Sequence, residues 1–228
     1  TASTEEADAG IVISASHNPF GDNGIKIFGG TGYKLTDAQE EQLEAYIDNP
    51  PTRVRTGGEI GAVKAFAGGN PVEAYVRHVA GTAPCRLIGL RVAVDCANGA
   101  SWSIASSVFS ALGAQVTVIG NEPDGLNVNE KCGSTHIENL CQLVKEQHLD
   151  MGFAFDGDCD RCIAVDEKGE VVDGDAMLYI LGKRLKRRDM LNKDTIVATI
   201  MSNSGLLNSL AEAGIKCEQT TVGDRFVY

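Results

Sequence analysis

The chain has 228 residues, enough for one large or two smaller domains with a core each, and its net charge of −11 argues against a nucleic-acid or anionic-membrane surface. With 26 glycines and few aromatics the composition is that of a soluble α/β protein, without a bilayer-length apolar run or a signal peptide. Seven cysteines, an odd number without framework spacing, fit the reduced thiols of the cytosol, so a cytoplasmic location is expected.

Gly10-Ile11-Val12-Ile13 is a continuous apolar run, which predicts a strand buried on both faces. It leads into Ser14-Ala15-Ser16-His17-Asn18-Pro19, a loop of small hydroxyl residues closing on an Asn-Pro turn. After the turn signal Asp22-Asn23-Gly24, Ile25 to Phe28 returns as a strand carrying Lys26. Thr36 with Gln39 forms a capping box for a helix through Leu43 and Ile47. From Asn49 to Asn70 prolines and scattered glycines mark a connection, and Asn70-Pro71 then starts a helix with Val72, Tyr75, Val76 and Val79 on one face.

A βαβαβ succession follows. Arg91 to Val94 is a strand, Asp95 to Gly99 a turn, and Trp102, Ala105, Val108, Phe109 and Leu112 share a helix that Gly113 stops. Val116 to Ile119 is the second strand; a long loop from Asn121 to Thr135 precedes a helix with Leu140, Leu143 and Val144. Met151 to Phe155 is the third strand, and Cys162 to Val165 another beyond a short acidic loop. Past a hairpin turn at Glu167 to Glu170 comes a helix through Met177, Leu178, Leu181 and Leu185. Thr195 to Ile200 is a buried strand, Met201 to Gly205 opens a helix that Gly214 ends, and Ile215 to Cys217 is the next strand. The expected fold class is α/β: successive βαβ domains with mixed, mostly parallel, helix-covered sheets whose ligands sit at the carboxyl ends of strands. With no initiator Met, and an end on Phe226-Val227-Tyr228, the chain reads as a piece of something longer, truncated at both ends.

The acidic loop is Asp156-Gly157-Asp158-Cys159-Asp160-Arg161. Alternation puts three carboxylates on one side of a tight turn, where they repel unless a hard, oxygen-preferring cation such as Mg²⁺ lies between them. A solvated surface loop is the plainer alternative. A calcium EF-hand would also space its acids this way, but it needs Gly where Arg161 stands and helices where strands flank the loop. Cys159 to Cys162 is formally C-x-x-C, yet no second pair stands at zinc spacing.

Ser16-His17 suggests a hydrolase only weakly, since no G-x-S-x-G surrounds it and neighbours in an extended segment face opposite ways. A turn with no catalytic role is the alternative. A serine that carries a phosphoryl group, by contrast, offers oxygen to a metal, and Lys26, His17 and Arg161 could hold phosphate or move protons.

Ser14 to Pro19 followed by Asp22-Asn23-Gly24-Ile25-Lys26 resembles the phosphoserine loop of the α-D-phosphohexomutases. Asp156 to Arg161 resembles their magnesium loop, D-G-D-G-D-R, with Cys159 in place of the middle glycine. Asp124 to Asn129 running into Glu130 to His136, Met201-Ser202-Asn203, and Thr221 to Arg225 resemble the bacterial phosphoglucosamine mutase branch. The resemblance covers nearly the whole chain.

It implies interconversion of glucosamine 6-phosphate and glucosamine 1-phosphate through a phosphoserine at Ser16 and a bis-phosphorylated sugar. Asp156, Asp158, Asp160 and an oxygen of phosphorylated Ser16 would bind one Mg²⁺ per active site. His17, Lys26 and Arg161 would surround the transferring group, and Gly223, Asp224 and Arg225 would contact the phosphosugar. A sister mutase acting on glucose or mannose phosphates, and a non-catalytic metal-binding module, are the alternatives. The implied division is 1–60 for the C-terminal part of domain 1, 70–170 for domain 2 and 171–228 for the N-terminal part of domain 3. Domain 4 would be missing, so poor turnover is expected of this stretch alone. The partners expected are a phosphosugar and a second copy in a homodimer, with no nucleic acid or membrane. Cys159 should be tolerated if its backbone is not left-handed.

Overall fold

The computed structural model describes residues 7–50, 52, 53, 55–62 and 70–227, without the side chains of Asp224 and Arg225. Part of the connection expected between Asn49 and Asn70 therefore lies outside the described residues.

β1 (Ala9–Ser14) and β2 (Gly24–Gly29) form a two-stranded antiparallel sheet, with Ile13 opposite Ile25 and Val12 opposite Lys26. The apolar run does make a strand, but not one buried on both faces, because Ile11 and Ile13 are 66% and 70% exposed. Apolarity records the need for a cover; the described residues do not supply one to this face. α1 (Asp37–Asp48) follows, with Gln39 Oε1 accepting from the Thr36 N–H at 3.0 Å as the capping box requires. α2 (Pro71–Thr82) starts where Asn70 Oδ1 accepts from the Val72 N–H at 3.0 Å.

The centre is a five-stranded mixed sheet in the order β4-β3-β5-β6-β7. Its strands are β3 (Arg91–Asp95), β4 (Gln115–Ile119), β5 (Met151–Phe155), β6 (Cys162–Val165) and β7 (Val171–Val172). β4, β3 and β5 run parallel, β6 runs antiparallel to β5, and β7 antiparallel to β6. On β3 the two-residue period sends Val92 and Val94 to one face, against Phe109 of α3 (Ala105–Ala111) and Phe153. Ala93 faces the other side and packs with Leu140 and Val144 of α4 (Glu138–Glu146). Each of those two buried side chains contributes about 1.5–3 kcal/mol by leaving water. β3 is therefore covered on both faces, as its unbroken apolar run demands.

The chain crosses from β3 to β4 on one side and then to β5 on the other, so strand order reverses between β3 and β5. Such a switch point leaves a crevice at the carboxyl ends of the two strands. Asp95 to Gly99 and Asp156 to Arg161 are the loops that leave those ends.

One expected helix is broken. Trp102 lies in a 3₁₀ turn, Ala100–Ser103, ahead of α3, and is half exposed. The Ala100 N–H is spent on the Gly157 carbonyl at 2.8 Å, which ties this turn to the acidic loop instead of starting a continuous helix.

β8 (Thr195–Thr199) and β9 (Lys216–Thr220) pair in parallel, and α5 (Gly174–Arg187) and α6 (Ser204–Glu212) contribute to this part. Leu206, Leu210 and Ile215 form its core. Expected as a buried strand through Ile200, β8 is mostly half-buried, stops at Thr199, and leaves Ile200 exposed. α7 (Asp224–Val227) closes the described chain. No helix among the described residues is long and apolar enough to cross a membrane.

Candidate functional site

Ser16 follows β1, and its Oγ donates to Asp156 Oδ2 at 3.2 Å across 140 positions of sequence. The two loops meet through backbone as well, the Gly157 N–H donating to the Ser16 carbonyl at 3.0 Å. A Cβ on Gly157 would lie 2.5 Å from that carbonyl oxygen, and one on Gly99 would lie 2.4 Å from the carbonyl oxygen of Gly157. Three loops thus approach more closely than any side chain would permit. Ser16 has φ 51°, a left-handed conformation uncommon for serine.

Asp156, Asp158 and Asp160 each place a carboxylate oxygen within 4.8 Å of the others. Asp156 is fully buried, and its Oδ1 accepts from the Arg161 N–H at 3.1 Å. Burial pushes its carboxyl up; the Arg161 N–H and the Ser16 hydroxyl oppose this, and the charges of Asp158 and Asp160 add to it. Lys26 reaches over from β2, with Nζ 2.5 Å from Asp158 Oδ2 and 2.8 Å from Asp160 Oδ2. Burial alone would raise Asp158, but the hydrogen bond and charge of Lys26 hold it below the usual carboxylate range. Those bonds push Lys26 itself up to about 12, so it is cationic at neutral pH. The Arg161 guanidinium lies 4.0 Å from Asp156 Oδ2.

Asp158 Oδ1 is buried and has no hydrogen-bond partner among the described residues. Lys26 balances the carboxylate's charge through Oδ2, but a buried acceptor left this way still costs about 1–3 kcal/mol unless another group takes it. Together with the all-oxygen donor set, that atom fits a hard divalent ion held by Asp156, Asp158 and Asp160. Cys159, standing where the resembled loop has glycine, has φ 63°. The condition for tolerating it without strain is not met, and the left-handed turn carries a cost on the order of 1–2 kcal/mol.

Not every expected residue joins this cluster. His17 turns toward a neighbouring pocket of about 480 Å³ lined also by Pro19, Leu126 and His136. Gly223, with φ 135°, sits beyond β9 against Phe226 of its own turn. The side chains of Asp224 and Arg225 lie outside the described residues. Beside the carboxylates a wider cleft of about 600 Å³ opens between Ser14, Asn98, Trp102, Asn127 and Asp158.

Sequence reasoning overlooked two supporting groups. Asp95, at the end of β3, is fully buried; its Oδ1 accepts from the Ala97 N–H at 2.9 Å and its Oδ2 from the Gly133 N–H at 2.8 Å. Burial pushes its carboxyl up against those two bonds. Asn129 donates from Nδ2 to the Ser16 and Asn18 carbonyls, both at 2.8 Å. A carboxylate ending a buried strand was the available signal for Asp95; Asn129 gave none beyond lying in a stretch that resembles the family.

Residues 1–53, 73–169 and 173–228 match the alpha/beta/alpha domains I, II and III of phosphoglucomutase/phosphomannomutase. The chain belongs to this family. Among relatives, the phosphoglucosamine mutase of Acetivibrio thermocellus is 51% identical over 223 residues, and that of Shouchella clausii 50% over 222. Each alignment covers 97% of this chain and 49% of the relative, so the chain spans about half the length of the curated relatives it matches. A phosphoglucomutase/phosphomannomutase family protein of Burkholderia thailandensis has the same fold, with TM-score 0.77 and 26% identity over 97% of this chain and 46% of that one. The fold alone is shared with an Aspergillus fumigatus N-acetylphosphoglucosamine mutase solved with glucose 1,6-bisphosphate. Its TM-score is 0.60 at 17% identity, covering 97% of this chain and 58% of that one.

Proposed function

We propose that this chain is the phosphoserine and metal-binding part of a phosphoglucosamine mutase, interconverting glucosamine 6-phosphate and glucosamine 1-phosphate. The observation that carries the reading is Ser16 Oγ lying 3.2 Å from Asp156 Oδ2, inside the three-carboxylate cluster. A serine so placed is where a phosphoryl group could be held beside a cation. The identity of about 50% to phosphoglucosamine mutases favours the amino sugar over other hexose phosphates.

In the forward step a sugar hydroxyl oxygen bonds to phosphorus, the bond from phosphorus to Ser16 Oγ breaks, the hydroxyl proton leaves to a base, and Ser16 Oγ takes up a proton to become a free hydroxyl. The bis-phosphorylated sugar turns, and its other phosphoryl group returns to Ser16 with the opposite proton balance. Lys26, beside the carboxylates, steadies charge on the transferring group. Arg161 lies on the same side and supplies a second positive charge. His17, in the adjoining pocket, meets the sugar rather than the reacting phosphorus, while Gly223, Asp224 and Arg225 serve as substrate contacts. Mg²⁺, held by Asp156, Asp158, Asp160 and an oxygen of phosphorylated Ser16, would neutralise charge as the group moves. On this reading 1–60, 70–170 and 171–228 belong to three successive domains.

The test is intact mass after incubation with Mg²⁺ and glucose 1,6-bisphosphate. An adduct of about 80 Da, absent from Ser16→Ala, is expected. No adduct on the unsubstituted chain would leave a metal-binding module without phosphoryl transfer.

A further inference from the structure

We propose that Asn129 is the positioning residue that holds Ser16 against the carboxylate cluster, acting on the backbone carbonyls of the Ser16 loop. Its catalytic consequence rests on the reading of Ser16 as phosphoryl carrier. An amide nitrogen offers two hydrogens. Asn129 spends both on one loop, donating to Ser16 O and Asn18 O at 2.8 Å each. Its own N–H donates to Ala97 O at 2.9 Å, anchoring it to the turn that leaves β3. The Ser16 carbonyl accepts from both Asn129 and the Gly157 N–H, so one oxygen joins three loops.

Two further facts make the arrangement costly for anything but positioning. Asn129 Oδ1 is buried without a hydrogen-bond partner among the described residues, an unusual expense in a folded protein. The opposite amide orientation would set that oxygen against two carbonyl oxygens, so the donors fix its direction. Ser16 is itself left-handed, a conformation its carbonyl helps to hold through Asn129 and Gly157 while its N–H donates to Ser14 Oγ at 2.8 Å. Returning Ser16 to an ordinary backbone conformation would swing Oγ away from Asp156. Asn129 also sits at φ 58°, where asparagine, aspartate and glycine are accommodated. Asn129→Gly therefore removes the clamp without straining the backbone, and Asn129→Asp keeps the shape but turns an acceptor toward two carbonyls.

The experiment compares the full chain with Asn129→Gly and Asn129→Asp. Phosphoryl uptake on Ser16 from glucose 1,6-bisphosphate is read by intact mass, Mn²⁺ affinity by titration, and the Asn18 and Gly157 amides by hydrogen exchange. Uptake should slow roughly 5- to 30-fold in Asn129→Gly, the ratio set by one to two net hydrogen bonds, and more in Asn129→Asp. Mn²⁺ affinity should stay within about twofold, because Asn129 touches none of the three carboxylates. Uptake at the unsubstituted rate would overturn the inference, and so would a fall in Mn²⁺ affinity as large as the fall in uptake, which marks general loosening. If the unsubstituted chain takes up no phosphoryl group, the proposed function fails, and exchange still decides the clamp. Faster exchange at Asn18 and Gly157 in both variants supports it; unchanged exchange overturns it.

Discussion

Asp95 offers a sharp test of how the site is supported. Its two carboxylate oxygens take the N–H groups of Ala97 and Gly133, joining the turn after β3 to the loop that carries Asn129. Asp95→Ala would leave both donors buried and unpaired, at about 1–3 kcal/mol each, a total of roughly 2–6 kcal/mol. Asp95→Asn keeps one acceptor and sets an amide N–H against the other donor, so about half that loss is expected. The pH dependence has a definite sign. Burial raises the folded-state pKa above the unfolded value, so the native state binds the proton more tightly. The corresponding stability is fully present below the unfolded carboxyl value of about 3.9 and is lost as pH rises through the folded one. Asp95→Asn should therefore cost more at acidic pH than at neutral pH. Urea unfolding of the full chain, followed by the fluorescence of its single tryptophan, Trp102, measures this across the range. A loss for Asp95→Ala below about 0.5 kcal/mol would refute the accounting, since that is the scatter of ordinary surface substitutions.

Two other perturbations act on the cluster itself. Lys26→Met removes the cation that Asp158 and Asp160 now share, so divalent-ion affinity should rise roughly 5-fold, about 1 kcal/mol for a partly exposed pair, while phosphoryl uptake on Ser16 falls; Mn²⁺ titration beside the mass assay separates the two effects. Gly157→Ala would press a methyl group to 2.5 Å from the Ser16 carbonyl oxygen, forcing the loops apart at a cost of about 1–3 kcal/mol and lowering uptake, readable by urea midpoint and intact mass.

Much of the secondary structure was legible because its causes are local. The apolar run Val92 to Val94, the caps at Thr36 and Asn70, and the helix stop at Gly113 depend on residues within a turn or two. The acidic loop was legible too, since alternating carboxylates between two apolar strands state their need for a counter-charge in six residues. Burial was not. Ile11 and Ile13 are as apolar as Val92 and Val94, yet they are exposed because no described element covers that face. Trp102 had helical spacing, but the hydrogen bond from Ala100, at the start of its own turn, to the Gly157 carbonyl outweighed it.

The sequence by itself therefore determined most of the strands and helices and the chemistry each loop can offer, all set by short-range sterics and hydrogen bonding. Only the tertiary structure decided that Ser16 meets Asp156 across 140 positions, that Lys26 spans Asp158 and Asp160 while His17 turns elsewhere, and that Asp95 and Asn129 hold the loops together. Those contacts depend on which strand ends the sheet brings side by side, and no residue's local preference carries that information.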